Sequence, residues 1–167
     1  MKEILHRLGW CIGLVLLQVL VFNHIHIGGY ATPFLYIYVI LKFHSEVSRN
    51  QLLMWGFFLG LAVDMFSNTV GMNAAATVFL AFMQPMLLRF FTVRDNFELY
   101  KPSAKAMGSA PFARYLITGV VLHHSVLVGL EYFSFLSIKE MFLRMILSAL
   151  LTLICILGLE GLTSRQQ

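Results

Sequence analysis

Apolar runs broken by short polar stretches set the rhythm of this chain, and they fall at residues 8–22, 33–43, 52–66, 72–91, 111–135 and 138–162. Runs of this purity read as membrane helices, because about 20 apolar residues in helical form cross the roughly 30 Å hydrocarbon core. The expected fold is an all-α polytopic membrane protein, a six-helix bundle forming one integral membrane domain over residues 1–167. Two segments are short. Residues 33–43, P-F-L-Y-I-Y-V-I-L-K-F, would rise only about 16 Å as a helix, and 52–66 has a similar deficit. Both are expected to rely on a thinned bilayer or on neighbours that shield them from lipid. Thr32-Pro33 opens the second segment, since Pro is tolerated in the first turn of a helix.

The stretch from Trp55 to Pro85 organises the middle of the chain. It carries no Lys or Arg, but it does carry a carboxylate, Asp64. An ionised side chain at the centre of a membrane helix costs roughly 2.5–3.5 kcal/mol, less near an interface, so Asp64 needs a partner or a place close to water. Ser-Asn-Thr-Val-Gly at 67–71 reads as a tight turn between the third and fourth helices, which puts Asp64 within reach of Asn68, Thr69 and Asn73. Gly56-x-x-x-Gly60 and Gly9-x-x-x-Gly13 have the spacing that lets two helix backbones approach closely. Ala74-Ala75-Ala76 offers a small surface that would receive Gly60. Pro85 lies inside the fourth helix and is expected to kink it, freeing a carbonyl about one turn earlier.

Composition excludes a water-soluble domain of ordinary make-up: 59% of residues are hydrophobic and 12% charged, with a mean hydropathy of +0.79. The formal charge of +4 marks a membrane face rather than a nucleic-acid ligand, since cytoplasmic loops carry the excess of Lys and Arg. Lys2, Arg7, Lys42, Arg49, Arg89, Arg94, Lys101, Lys105, Arg114 and Arg165 fall on one side of the expected spans, and only Lys139 and Arg144 on the other. Both termini are therefore expected in the cytoplasm, with Asp64 near the outer face. Lys2 and Arg7 precede an apolar run as in a signal peptide, but no small-residue cleavage site follows, so a retained first helix is expected. Cys11 and Cys155, far apart and in apolar runs, read as small buried hydrophobes.

Candidate chemistry is sparse. His123-His124 points its rings about 100° apart on a helix, whereas paired helix ligands stand three or four positions apart, so each His is expected to find its own hydroxyl, carbonyl or carboxylate partner. His24-x-His26 sits in an outer loop, and Glu131 and Glu160 lie near helix ends, where solvated carboxylates are expected. No nucleophile elbow, P-loop, metal-ligand spacing or catalytic carboxylate pair is present in the sequence, so neither enzyme activity nor a cofactor is expected.

The order L-Q-V-L-V-F-N-H-I at 17–25, P-F-L-Y-I-Y at 33–38, G-x-x-x-G-L-x-x-D at 56–64 and G-M-N-A-A at 71–75, with Pro85 downstream, resembles MreD. MreD is the small integral membrane component of the bacterial rod-shape, or elongation, system. The resemblance runs over roughly the first 90 residues with ordered motifs. It implies a six-helix bundle similar to the S-components of energy-coupling-factor transporters, in the bacterial cytoplasmic membrane. It also implies a scaffold that binds MreC and, through it, MreB, RodA and a transpeptidase in lateral peptidoglycan synthesis. Gly60, Asp64, Gly71, Asn73 and Pro85 match its pattern. The alternative is a small-molecule-binding subunit of a transporter, which needs convergent polar groups in one cavity. The apparent scarcity of inward polar residues favours the scaffold.

The Lys and Arg imbalance makes a topological prediction. With Cys11 and Cys155 replaced, a single cysteine at Asn96 is expected to resist membrane-impermeant reagents applied from the periplasmic side. Labelling from that side contradicts the orientation.

Overall fold

A computed structural model describes residues 2–24, 31–69, 71–92, 101–131 and 138–164. All regular structure among them is helical: α1 (Lys2–Leu20), a 3-10 turn (Phe22–His24), α2 (Ile37–Leu41), α3 (Arg49–Ser67), α4 (Met72–Phe91), α5 (Ala104–Met107), α6 (Ser109–Glu131) and α7 (Ile138–Ser164). Among the described residues, three helices are long and apolar enough to cross a membrane: Met72–Phe91, Ser109–Glu131 and Ile138–Leu162. The expectations for His26, for Arg94, Asp95 and Glu98, for the last residues of the fifth span and for Arg165 lie outside the described residues.

Two segment lengths differ from expectation. The third is not short: Ser48 accepts a hydrogen bond from the backbone N–H of Gln51 and starts α3 at Arg49, giving 19 residues, or about 28 Å. The polar first turn, Arg-Asn-Gln, carries no apolar signal, so hydropathy missed it. The second segment is even less helical than expected, with α2 reduced to Ile37–Leu41. Residues 31–36 ahead of it are extended or turning, yet Ala31, Thr32, Leu35 and Tyr36 are buried.

That irregular strand of backbone is satisfied by side chains from its neighbours. Gln18 of α1 receives the Leu35 N–H at 2.8 Å and donates to the Pro33 carbonyl at 2.8 Å. The α7 hydroxyls of Ser148 and Thr152 receive the Thr32 and Phe34 N–H groups at 3.1 and 2.9 Å. Where the segment ends, Tyr115 of α6 donates to the Leu41 carbonyl at 2.8 Å and Gln84 of α4 to that of Phe43 at 3.2 Å. A buried, unmet backbone group costs several kcal/mol where water is excluded, so these contacts are conditions for the segment to lie inside.

The bundle closes around it, with its largest helix contacts between α3 and α4 and between α4 and α6. A Cβ on Gly60 would sit 2.5 Å from the Ala74 Cα and 2.6 Å from the Asn73 carbonyl oxygen, so α3 and α4 touch backbone to backbone there. Gly56 also faces α4, where a Cβ would lie 3.0 Å from the Ala81 Cβ. Gly9 and Gly13 are different: nothing lies within 4 Å of a Cβ at either, and α1 packs instead through Cys11, Leu14 and Val15. Cys155 is partly buried. α4 runs unbroken through Pro85.

These contacts predict a ranking of Gly→Ala variants in thermal unfolding in detergent, against a helix-propensity gain of about 1 kcal/mol each. Gly60→Ala is expected to be destabilising by about 1–3 kcal/mol through overpacking and Gly56→Ala by less, while Gly13→Ala is neutral or stabilising. A Gly60→Ala protein as stable as wild type would mean that the α3–α4 contact is not tight.

Candidate functional site

The α3–α4 junction begins with a turn whose backbone must reverse between two helices. Asn68 closes α3 in the left-handed region at φ 53°, a conformation that Asn tolerates. Gly71, at φ 73°, precedes α4 and is the residue type that takes such a φ without strain. Gly71 has no side chain with which to cap the new helix, and the first N–H groups of α4 need an acceptor.

Asp64 supplies it from the preceding helix. Its carboxylate, 3% exposed, receives the Asn73 N–H at 3.0 Å, the Ala74 N–H at 2.8 Å, the Asn73 side-chain amide at 3.0 Å and the Thr69 hydroxyl at 2.5 Å. The charge thus sits at the N-terminus of α4, where the helix dipole favours an anion. No salt bridge to Asp64 occurs among the described residues; N–H and O–H donors hold it. Of the residues singled out in the sequence, Gly60, Asp64, Gly71 and Asn73 come together here, and Gly56 lies one turn along the same α3 face. Pro85 does not join them, being further along α4 beside Gln84, which holds the Phe43 carbonyl. The Asn68 side chain is exposed.

From Asn73 a buried polar cluster extends inward. The Tyr36 hydroxyl lies 3.1 Å from Asn73 Oδ1, 3.2 Å from Thr77 Oγ1 and 3.0 Å from His123 Nε2. His124 contacts the Val120 carbonyl through Nδ1 at 2.8 Å and Thr152 Oγ1 through Nε2 at 3.3 Å. The scarcity of inward polar residues is overturned: eleven polar or charged residues are buried among those described, Gln18, Gln84, Ser148 and Thr152 included. Hydropathy averages hid them. The available signal was polar pairs four apart on one face, Asn73 with Thr77 and Ser148 with Thr152.

A second cluster corrects the reading of Glu160 as solvated. Glu160 is buried, and its carboxylate contacts Lys42 Nζ at 2.6 Å and accepts from the Tyr38 hydroxyl. Lys42 also donates to the Pro102 carbonyl at 2.9 Å. The partners are 118 positions apart in sequence, so only the fold could disclose the pair. Glu131 faces Arg144 at 3.6 Å across α6 and α7.

The capping geometry predicts how Asp64 variants rank. Asp64→Leu leaves the donors of α4 and the turn unmet at about 1–3 kcal/mol apiece, and is expected to lower both the folded yield and the melting temperature sharply. Asp64→Asn keeps the shape and an acceptor oxygen but loses the charge at the helix end, worth up to about 2 kcal/mol. Equal yields and melting temperatures for the two would show that the cap is not what orders the junction.

No protein-family profile matches the chain, and no curated protein or solved structure matches it either.

Proposed function

We propose that this chain is an MreD-like, non-enzymatic scaffold of the bacterial elongation system, resident in the cytoplasmic membrane and binding MreC. MreB, RodA and a transpeptidase are engaged through that partner. The observation that carries the reading is the convergence at the α3–α4 junction. Gly60, Asp64, Gly71 and Asn73 are matched to the family pattern by order alone, and they form one contact in which close approach, turn, cap and charge depend on each other.

Six crossings with both termini in the cytoplasm suit the contacts at the two ends of the bundle. Asn23, after α1, donates to Ser67 at the end of α3 at 2.7 Å, which groups the turns expected outside. Lys42 joins Glu160 of α7 and the Pro102 carbonyl, which groups those expected inside. On this reading the segment at 31–43 is the second crossing, and the bundle is similar to an energy-coupling-factor S-component.

The buried cluster around Tyr36 and His123 favours a second reading, a small-molecule-binding membrane subunit, because it supplies the convergent polar groups such a site needs. Purification in mild detergent followed by mass spectrometry of co-purified proteins and small molecules separates the two. The scaffold reading expects MreC in stoichiometric amount and none of any water-soluble ligand. Recovery of a stoichiometric small molecule with no wall-synthesis partner would establish the second reading instead.

A further inference from the structure

The hydrogen bonds between Asp64 and His123 have directions that the donor and acceptor inventory determines. Asp64 is an acceptor only, so the Asn73 group 3.0 Å from its Oδ1 is the NH2, and the Asn73 carbonyl Oδ1 faces the other way, toward Tyr36. That carbonyl only accepts, so the single hydroxyl hydrogen of Tyr36 lies on it at 3.1 Å. The neighbouring Thr77 hydroxyl has a much closer acceptor in the Asn73 backbone carbonyl, at 2.6 Å against 3.2 Å to Tyr36. His123 Nε2, 3.0 Å from the Tyr36 oxygen, is then the donor, and the ring carries its hydrogen on Nε2.

His124 stands outside this chain of directions. Its Nδ1 lies 2.8 Å from the Val120 carbonyl, and on its other side Thr152 Oγ1, 3.3 Å from Nε2, gives its hydrogen to the Ser148 carbonyl at 2.7 Å, so acceptors face both ring nitrogens. In His123 the remaining nitrogen, Nδ1, is buried and meets no hydrogen-bond partner among the described residues. With a lone pair there, the cost falls on an unmet acceptor; the other tautomer would bury an unmet N–H and also set two lone pairs against each other at Tyr36.

We propose that Asp64 sets the tautomer of His123 through Asn73 and Tyr36, so that the charge at the α3–α4 turn orients a neutral imidazole in the centre of the bundle and keeps its Nδ1 a bare acceptor. The chain orients and does not conduct. The Asn73 amide cannot accept a proton and release another without changing its bonding, so no proton passes from His123 to Asp64. The coupling links α3, α4, the segment at 31–41 and α6 through one set of directions, whose loss at either end frees the rest.

The test is 15N NMR of histidine-labelled protein in detergent or nanodiscs, in which the ring nitrogens report the tautomer directly and His123→Gln and His124→Asn assign the signals. The wild type is expected to show His123 protonated on Nε2. Tyr36→Phe, which cuts the chain, and Asp64→Ala, which removes the acceptor at its fixed end, are each expected to lower the Nε2–H preference of His123 by about tenfold, the population equivalent of one hydrogen bond. His124 should stay as it is in both. A wild-type His123 protonated on Nδ1 overturns the assignment without any variant. A His123 tautomer that Tyr36→Phe leaves unchanged, or that responds to Tyr36→Phe but not to Asp64→Ala, overturns the coupling to Asp64.

Discussion

Placing non-helical backbone in the middle of an apolar bundle is the constraint that the other parts of this protein answer to. A helix satisfies its own N–H and C=O groups, so it can lie against lipid or protein alike. Residues 31–36 do not, and Leu35, Tyr36 and Ile37 after the turn are fully or almost fully buried. Four neighbouring helices therefore contribute polar side chains to this segment and to its exit at Leu41 and Phe43: Gln18 from α1, Gln84 from α4, Tyr115 from α6, Ser148 and Thr152 from α7. Each of these side chains would be a liability on a lipid-facing surface. Their positions in turn decide which face of each helix looks inward.

The ionised groups follow the same logic of paired burial. Asp64 replaces the cap that Gly71 cannot provide, and it does so only because Gly60 lets α3 approach α4 backbone to backbone. Lys42 and Glu160 tie the far end of the buried segment to α7. Such a pair adds little net stability over an apolar pair of the same shape, but removing one partner strands the other and is costly. Its contribution is register: it specifies where the segment ends against α7.

Outside, the pattern reverses. Phe58, Met65, Phe66, Met86, Phe90, Ile154 and Leu162 are all more than half exposed, a surface unsuited to water and suited to hydrocarbon. Dispersion between close-packed small residues and internal hydrogen bonds must then hold the helices together, since lipid tails compete equally for apolar side chains. The Gly60–Ala74 contact and the buried polar cluster are of those two kinds.

The sequence by itself determined the helical class, the three longest apolar helices and the need for the Asp64 turn. These rest on local physics: apolar length against bilayer thickness, and a carboxylate that must find donors close by, here in Thr69, Asn73 and Ala74. The start of α3 was hidden because a capped polar turn has no hydropathy signal. Tertiary structure alone decided the rest. It unwound residues 31–36, since the partners that make this tolerable lie as far as 118 positions away at Thr152. For the same reason it buried Glu160 against Lys42. It also turned Gly9 and Gly13 outward while using Gly60, because a glycine pair states that close approach is allowed, and only the packing of the whole bundle selects which one another helix meets.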